Sequence, residues 1–457
     1  MRKNKKWLIG TSALLLLSSV LSACGSESEK PAATQAQGTV AATSDSGKQE
    51  TVTLKFWTWS PSAEVYKPII DKFQAANPNI KIDLSIVGGN NSSPYQTKMP
   101  LALTTGEDLD IVGIQTGGMP KQIEDYLLPL DDIMKQTIGA DWLSKFSPIS
   151  IKQLASQTSG GIKFLSMGSV GSMVMYYNKD ILDQLGVSVP KTYDDLKNIS
   201  KAIKDKNLDI LPVALNAKDA WTDDEVVLTI AGQQSDIYNK FHYNQGGKLN
   251  GPEYTQALSS FKKMFDDGVL SKKDVFDLDY DRSKTLFTTG KAATFIQGTW
   301  EANMIAEKVR KDNKINIKDV GLVAIPAIES NGKASIRSFV DMGLGIVKNS
   351  KHPKEAAKFI QYLTLGEGND ALNNQFLFTS NKVGSKIDET LLTSPTAKES
   401  YQTLVNLVSQ PTADRNNNSK FSDVAGAEIQ KFILNGLDAK AAAQNIQKEF
   451  DTGKYPN

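Results

Sequence analysis

Three places in the sequence set flat rings, amides or carboxylates at the end of an apolar run. Trp57 and Trp59 follow Thr51 to Phe56, Gln115 and Thr116 follow Leu109 to Ile114, and Trp221 with Asp223 and Asp224 follows Leu211 to Leu215. An indole face covers apolar C–H surface, while Asp, Asn, Gln and Arg side chains fix hydroxyl groups with planar donors and acceptors. That combination suits noncovalent capture of a ring of hydroxyls with apolar faces, which is a sugar. Each place also has a plainer reading. Alternation puts Trp57 and Trp59 on one strand face, where either fits a core position. Gln115 and Thr116 are ordinary turn residues, although Gly117-Gly118 behind them lets a backbone approach a ligand closely. Asp223 and Asp224 open a helical stretch, where carboxylates act as caps.

Parts for covalent chemistry are scarce. The chain has two histidines, His242 and His352. It has no Gly-x-Ser-x-Gly elbow, no complete phosphate loop around Gly290-Lys291 and no His-Glu-x-x-His. We therefore expect neither an enzyme nor a cofactor. The alternative is a secreted carbohydrate-active enzyme, whose two carboxyls must face one bond at roughly 5–9.5 Å.

The elements that would carry these residues alternate. Thr51 to Trp57 reads as a strand, Val65, Ile69, Ile70 and Phe73 as a helix face with Pro68 forcing a late start or a kink, and Ile80 to Val87 as a strand. A helix near Tyr95 to Leu103 and a buried-type strand at 109–114 follow. Further along come a strand from Ser172 to Tyr177, a helix from Lys179 stopped by Gly186, a helix from Thr192 to Ile203, and strands at 211–215, 292–296 and 340–347. Ala356, Phe359, Ile360 and Leu363 make a helical face after Pro353, and the C-terminal third is mainly helical. This grammar predicts α/β architecture with an open, largely parallel sheet. Residues 51–457 exceed the ~250–300 at which a single core stops growing, so two lobes are expected.

The N-terminus carries a different message. Arg2, Lys3, Lys5 and Lys6 precede the apolar run Trp7 to Val20, and Leu21-Ser22-Ala23-Cys24-Gly25 follows. The run falls short of the ~20 residues of a spanning helix and ends in small residues, so 1–23 reads as a secretory signal peptide. Cys24 is the only cysteine, which excludes an intramolecular disulfide. Its surroundings resemble the bacterial lipobox, which implies a diacylated Cys24 as the first mature residue and an anchor at the extracytoplasmic face of the cell membrane. Residues 24–50 are too poor in large apolar side chains to fold and read as a disordered tether. With 52 basic against 51 acidic residues, no net field attracts nucleic acid.

The stretch Thr285-Leu-Phe-Thr-Thr-Gly-Lys-Ala-Ala-Thr-Phe-Ile-Gln-Gly-Thr-Trp300 resembles the most recognisable segment of family 1 extracellular solute-binding proteins. Phe56-Trp-Thr-Trp59, Tyr176-Tyr-Asn-Lys-Asp180, Gly343-Leu-Gly-Ile-Val347 and Lys354-Glu-Ala-Ala-Lys-Phe-Ile360 match in the same order. The resemblance implies a two-lobed periplasmic-binding-protein-like fold, with a ligand cleft between lobes joined by crossover strands. Crossovers near 165, 299 and 349 would give one lobe of 51–165 plus 299–348 and another of 166–298 plus 349–457. The Gly-rich run Met167 to Ser172 would lie at the first crossover, as a hinge. The resemblance also implies a monomeric binding protein of an ABC importer, with permease subunits in the membrane as partners and a small carbohydrate as ligand. It adds Trp300, Asp341 and Met342 to the candidate ligand residues, and tips Asn90 in Gly88-Gly-Asn-Asn91 toward the same role. Asp341 also fits a local amide or Arg337 as its partner, and Phe376 and Phe378 fit the core better than the ligand.

A non-sugar solute, peptide or metal, is the remaining alternative. Tyr176-Tyr177 is similar to the tandem tyrosines of iron-binding relatives, but its place in a strand favours packing. Asp277-x-Asp279-x-Asp281 starts like a calcium loop and fails, with Arg282 in place of the glycine and Thr288 in place of the final glutamate. No metal is expected.

Overall fold

The computed structural model describes residues 50–89, 92–234, 248–409 and 419–454. Cys24, the signal and nearly all of the tether lie outside the described residues, as do Asn90 and His242. Strands β1 (Val52–Thr58), β2 (Ile80–Ile86), β3 (Ile111–Ile114), β4 (Phe164–Ser172), β9 (Arg337–Ile346) and β10 (Thr379–Ser380) form one sheet, in the order β10-β4-β9-β3-β1-β2. Strands β5 (Val174–Asn178), β6 (Leu211–Ala214), β7 (Ala292–Gln297) and β8 (Val320–Ala324) form another, in the order β6-β7-β5-β8. Residues 49–457 make a single compact unit.

Both sheets are mixed. β1 runs parallel to β2 and β3, and β6 parallel to β7, whereas β9 is antiparallel to β3 and β4, and β5 to β7 and β8. The expected parallel sheet holds only where strands are joined through helices. The antiparallel partners are strands that arrive from the other lobe or leave for it, and they return directly without a crossover helix.

Local signals behave as chemistry requires. Thr192 and Asp195 form a reciprocal capping box on the helix Tyr193–Asp205, and Gly186 ends Lys179–Leu185 in a left-handed conformation with φ 75°. Pro68 neither delays nor divides its helix, which runs unbroken from Ala63 to Ala76. It lies on the exposed side, where a carbonyl left without a donor can meet water.

The lobe boundaries differ from those expected. β8 pairs with β5 across the whole strand, so residues 320–324 belong to the second sheet instead of the first lobe. The helix Pro353–Thr364 buries Ala356, Phe359, Ile360 and Leu363 in the first lobe's core, with Phe359 packed 4.8 Å from Phe73 and 5.9 Å from Phe56. Helices Pro395–Val408, Ser419–Asn435 and Ala439–Phe450 pack on the second sheet or its helices. The chain therefore passes between lobes at 172–174, between Ala324 and Arg337, and after Lys382. Helical periodicity shows which face of residues 353–364 is buried, but not which sheet receives it.

The Gly-rich run Met167 to Ser172 is the second part of strand β4, every residue of it buried. Its glycines serve close packing, because a Cβ on Gly168 would lie 2.1 Å from the Phe378 ring and one on Gly171 would lie 2.3 Å from Ile336.

Beyond the end of β3, β4 and β9 continue as a two-stranded ribbon toward the second lobe, Val170↔Phe339 through Ser172↔Arg337. There Arg337 of β9 donates to Glu225 of the helix Ala220–Gly232 at 2.8 Å, with both side chains buried. Ser172 also donates to Glu225 at 2.8 Å, and Thr229 one turn later accepts from Met173 N at 3.0 Å. Removing one member of such a pair leaves a buried charge uncompensated. Glu225→Gln should destabilise the protein by about 3–5 kcal/mol in urea unfolding, and the double change Glu225→Met with Arg337→Met should recover much of that loss.

Candidate functional site

The two sheets bring their strand ends to the same junction. In the first, β1, β2 and β3 end at Thr58, Ile86 and Ile114, level with the point where β9 leaves β3 and heads for the other lobe. In the second, the parallel strands β6 and β7 end at Ala214 and Gln297, and Gln297 pairs with Val174, the first residue after the crossover. Carboxyl ends of strands in open α/β sheets carry ligand sites because the loops there are free of ladder bonds.

At the end of the first sheet the structure gathers Trp57, Trp59, Gln115, Thr116, Asp341 and Met342. Trp57 is half-buried against the first lobe's core. Trp59 lies just beyond β1, 5% exposed, with its ring 5.4 Å from that of Tyr95. The Tyr95 hydroxyl in turn lies between the carbonyls of Trp57 and Gly113, at 3.0 and 2.7 Å, and donates to the nearer, Gly113, beside the ends of β1 and β3. Gln115 accepts a hydrogen bond from Gln96. Thr116 donates its amide to Asp341 at 3.1 Å and its hydroxyl to the Val340 carbonyl at 2.6 Å. Asp341 thus satisfies a local amide, while Arg337 is engaged by Glu225. Met342 is buried with φ 55°, a left-handed non-glycine residue in the middle of β9.

At the end of the second sheet, Trp221 and Trp300 meet with ring centroids 6.4 Å apart, both half-buried. Trp221 opens the helix Ala220–Gly232 and packs on the second lobe's core, whereas Trp300 packs against the first lobe's core. Gly298 explains the Gly-x-Trp spacing. A Cβ there would fall 2.2 Å from the Trp300 ring, so the indole folds back over its own strand end only because that position is glycine. The Trp300 Nε1 donates to the Tyr280 hydroxyl at 3.1 Å, Tyr280 donates to Glu301, and Lys284 lies 2.9 Å from the same carboxylate. Gln297 and Asn216 bridge the ends of β7 and β6 at 3.1 Å.

Asp223 is not brought to this place. It is wholly buried, with Gln430 of the helix Ser419–Asn435 donating to it at 3.1 Å, and Asp224 beside it accepts from Ser422 at 2.6 Å. Neither is a cap. Asp219 holds the N-cap position and accepts from Tyr280 N and Asn216 Nδ2. The first helical turn rotates the indole at 221 to one side and the carboxylate at 223 to the other, an angle that adjacency in sequence does not reveal. Asn90 lies outside the described residues.

Tyr280, Glu301, Lys284 and Gln96 were missed by sequence reasoning. Tyr280 sits inside the acidic series that resembled a calcium loop, and the structure gives those acids another use. Asp279 caps the helix Tyr280–Thr288, accepting from Arg282 N at 3.0 Å, while Arg282 donates to the Asp277 carbonyl at 2.6 Å. Among the described residues no group of three or more His, Cys, Asp or Glu is arranged to hold a metal ion. Tyr176 is buried and donates to the Gly298 carbonyl at 2.8 Å, and Tyr177 lies over Gly321, so the tandem tyrosines pack. Phe376 and Phe378 are core residues of two different clusters.

Against this geometry stand comparisons with known proteins. The family described as bacterial extracellular solute-binding protein matches residues 58–370. The chain belongs to that family. This solute-binding protein is 25% identical over 365 residues to an uncharacterized ABC transporter extracellular-binding protein of Pyrococcus horikoshii, covering 79% of this chain and 76% of the relative. It is 22% identical over 325 residues to the multiple sugar-binding protein of Streptococcus mutans, covering 69% and 72%. A maltose-bound protein of T. maritima superposes with a TM-score of 0.69 at 19% identity, over 88% of this chain and 99% of that one. That last likeness establishes the shared two-lobed fold.

Two outcomes test the site's construction. Gly298→Ala should displace the Trp300 indole and cost about 1–3 kcal/mol of stability, read by denaturant unfolding. Burial, reinforced by the charges of Asp219 and Asp224, pushes the Asp223 carboxyl well above its ordinary 3.8. The folded state then keeps a proton that the unfolded chain releases, so this stability is complete at low pH and declines as pH rises above about 4. Asp223→Asn should remove that decline, and its advantage over the wild type in urea midpoint should grow with pH.

Proposed function

We propose that this protein is the substrate-binding component of an ABC importer, capturing a mono- or oligosaccharide between its lobes and releasing it unchanged to permease subunits in the membrane. The observation that carries the reading is the pair of half-buried indoles, Trp221 and Trp300, 6.4 Å apart at the ends of β6 and β7, beside the junction where β1 to β3 also end. Indole faces cover the apolar C–H surfaces of a sugar ring, and from the opposite sheet the half-buried Trp57 supplies further aromatic surface and Gln115 an amide, while Trp59 is buried against Tyr95. Three passages of chain between the lobes let them close on a ligand as two bodies. The multiple sugar-binding protein and the maltose-bound neighbour support the ligand class.

Glu301, next to Trp300, is engaged by Lys284 and Tyr280, and Asp341 at the end of the first sheet by Thr116, which favours binding over hydrolysis. Among the described residues no helix is long and apolar enough to cross a membrane. Attachment to the extracytoplasmic face then rests on the Leu21 to Gly25 signature, with Cys24 as the acylated residue after removal of 1–23 and residues 24–50 as the tether.

The test is thermal unfolding of residues 51–457 against mono-, di- and oligosaccharides, oligopeptides and metal salts, with product analysis of each hit. A ligand at 100 times its Kd adds about 2.7 kcal/mol, a rise on the order of 2–4 °C. A sugar that raises the midpoint and is recovered intact supports the proposal, and Trp300→Ala should weaken its binding by about 2 kcal/mol, roughly 30-fold in Kd. A sugar that is consumed, or a response to peptide or metal alone, overturns it.

A further inference from the structure

The strongest lead outside the candidate ligand residues is the hydrogen-bonded chain behind Trp300. An indole Nε1–H can only donate, and a tyrosine hydroxyl has one proton to give. Tyr280 gives its proton to Glu301, whose buried carboxylate only accepts and is paired with Lys284, so its oxygen is left to accept from Trp300. The polarity of the chain is thereby set in one direction, from Trp300 through Tyr280 to Glu301.

Tyr280 also reaches the other indole. Its backbone amide donates to Asp219 at 2.8 Å, and Asp219 holds the N-cap position of the helix whose second residue is Trp221. Asn216 donates to the same Asp219 at 3.0 Å and to Thr222 at 2.7 Å, and accepts from Gln297 at the end of β7. One residue, on a helix that bears no candidate ligand group itself, is bonded to the fixtures of both rings. The helix Tyr280–Thr288 is held in turn by its Asp279 cap and by packing on β7.

We propose that Tyr280 is a positioning residue for the aromatic wall of the site. Its hydroxyl sets the plane of the Trp300 indole and its amide holds the start of the Trp221 helix, so that the two rings present one preformed surface to a carbohydrate. This rests on the reading of Trp300 as a ligand platform. A ring already held in place loses less freedom when ligand arrives, which is how a residue that touches no ligand raises affinity. Burial and the nearby Glu301 charge push the Tyr280 hydroxyl well above its ordinary range, so it remains a neutral donor at any physiological pH.

The experiment compares wild type, Tyr280→Phe, Trp300→Phe and the double variant, all as residues 49–457. In the ligand-free protein, indole 1H–15N NMR, with the Trp300 signal assigned by its loss in Trp300→Phe, should show that resonance moving upfield and broadening in Tyr280→Phe. The Trp59 and Trp142 signals should stay in place, which also reports that the variant is folded. Binding is then measured by calorimetry with maltotriose, raffinose and xylotriose. Tyr280→Phe should raise Kd about tenfold for each sugar that binds, but should add less than twofold when Trp300 is already Phe, because coupled residues are not additive. A Trp300 resonance unmoved by Tyr280→Phe, or equal losses in both backgrounds, overturns the proposal. If no sugar binds the wild type, the carbohydrate reading fails, and the indole spectrum still decides whether Tyr280 holds the ring.

Discussion

Strands β4 and β9 leave the first sheet as a pair, and beyond the end of β3 the outer edge of β9 has no neighbouring strand among the described residues. Every unpaired backbone group on that edge would be costly if buried. The protein supplies side chains instead: Gln153 accepts from Val340 N at 2.8 Å and Thr116 donates to the Val340 carbonyl at 2.6 Å. Lower down, Gly171 N of β4 donates to Thr299 at 2.7 Å, which brings the loop carrying Trp300 against the ribbon. The groups that satisfy the crossover are thus neighbours of those that would touch a ligand. Thr116 and Asp341 are the clearest case, since their bonds to each other and to β9 occupy polar atoms at the strand-end junction.

The same constraint accounts for the buried ion pair. The ribbon enters the second lobe beside the helix Ala220–Gly232, and Arg337 meets Glu225 where little water reaches. Glu225 lies one helical turn after Trp221, on the same side of the helix. The Arg337–Glu225 pair thus joins the crossover to the helix that carries the Trp221 indole in its first turn. Connection by packed strands and a paired charge favours movement of whole lobes over local loosening.

Much of the local structure was legible from residue type and spacing. The helix start at Thr192, the stop at Gly186, the first-turn Pro353 and the apolar face after it all depend on interactions within one or two helical turns. Strand β4 is hidden in the sequence, because a strand buried on both faces in which Gly and Ser alternate irregularly with Phe, Leu, Met and Val shows neither period-2 alternation nor β-branched enrichment. Strand β8 went unread for a related reason, being short and followed by a loop rich in Ser, Asn and Gly.

By itself the sequence determined the export-type leader pattern with its single cysteine, the alternating α/β grammar, the division into two lobes and the Gly-x-Trp that places an indole at a strand end. The first three follow from composition, length and periodicity, and the last from the resemblance to family 1 solute-binding proteins. Tertiary structure alone decided which sheet receives residues 320–324 and 353–364, that Asp223 turns into the helical core while Trp221 does not, and that Tyr280 lies behind Trp300. Each of those outcomes is a choice between partners of similar chemistry at distant positions. Only the packing of the whole chain, in which one surface is filled before another can be, selects among them.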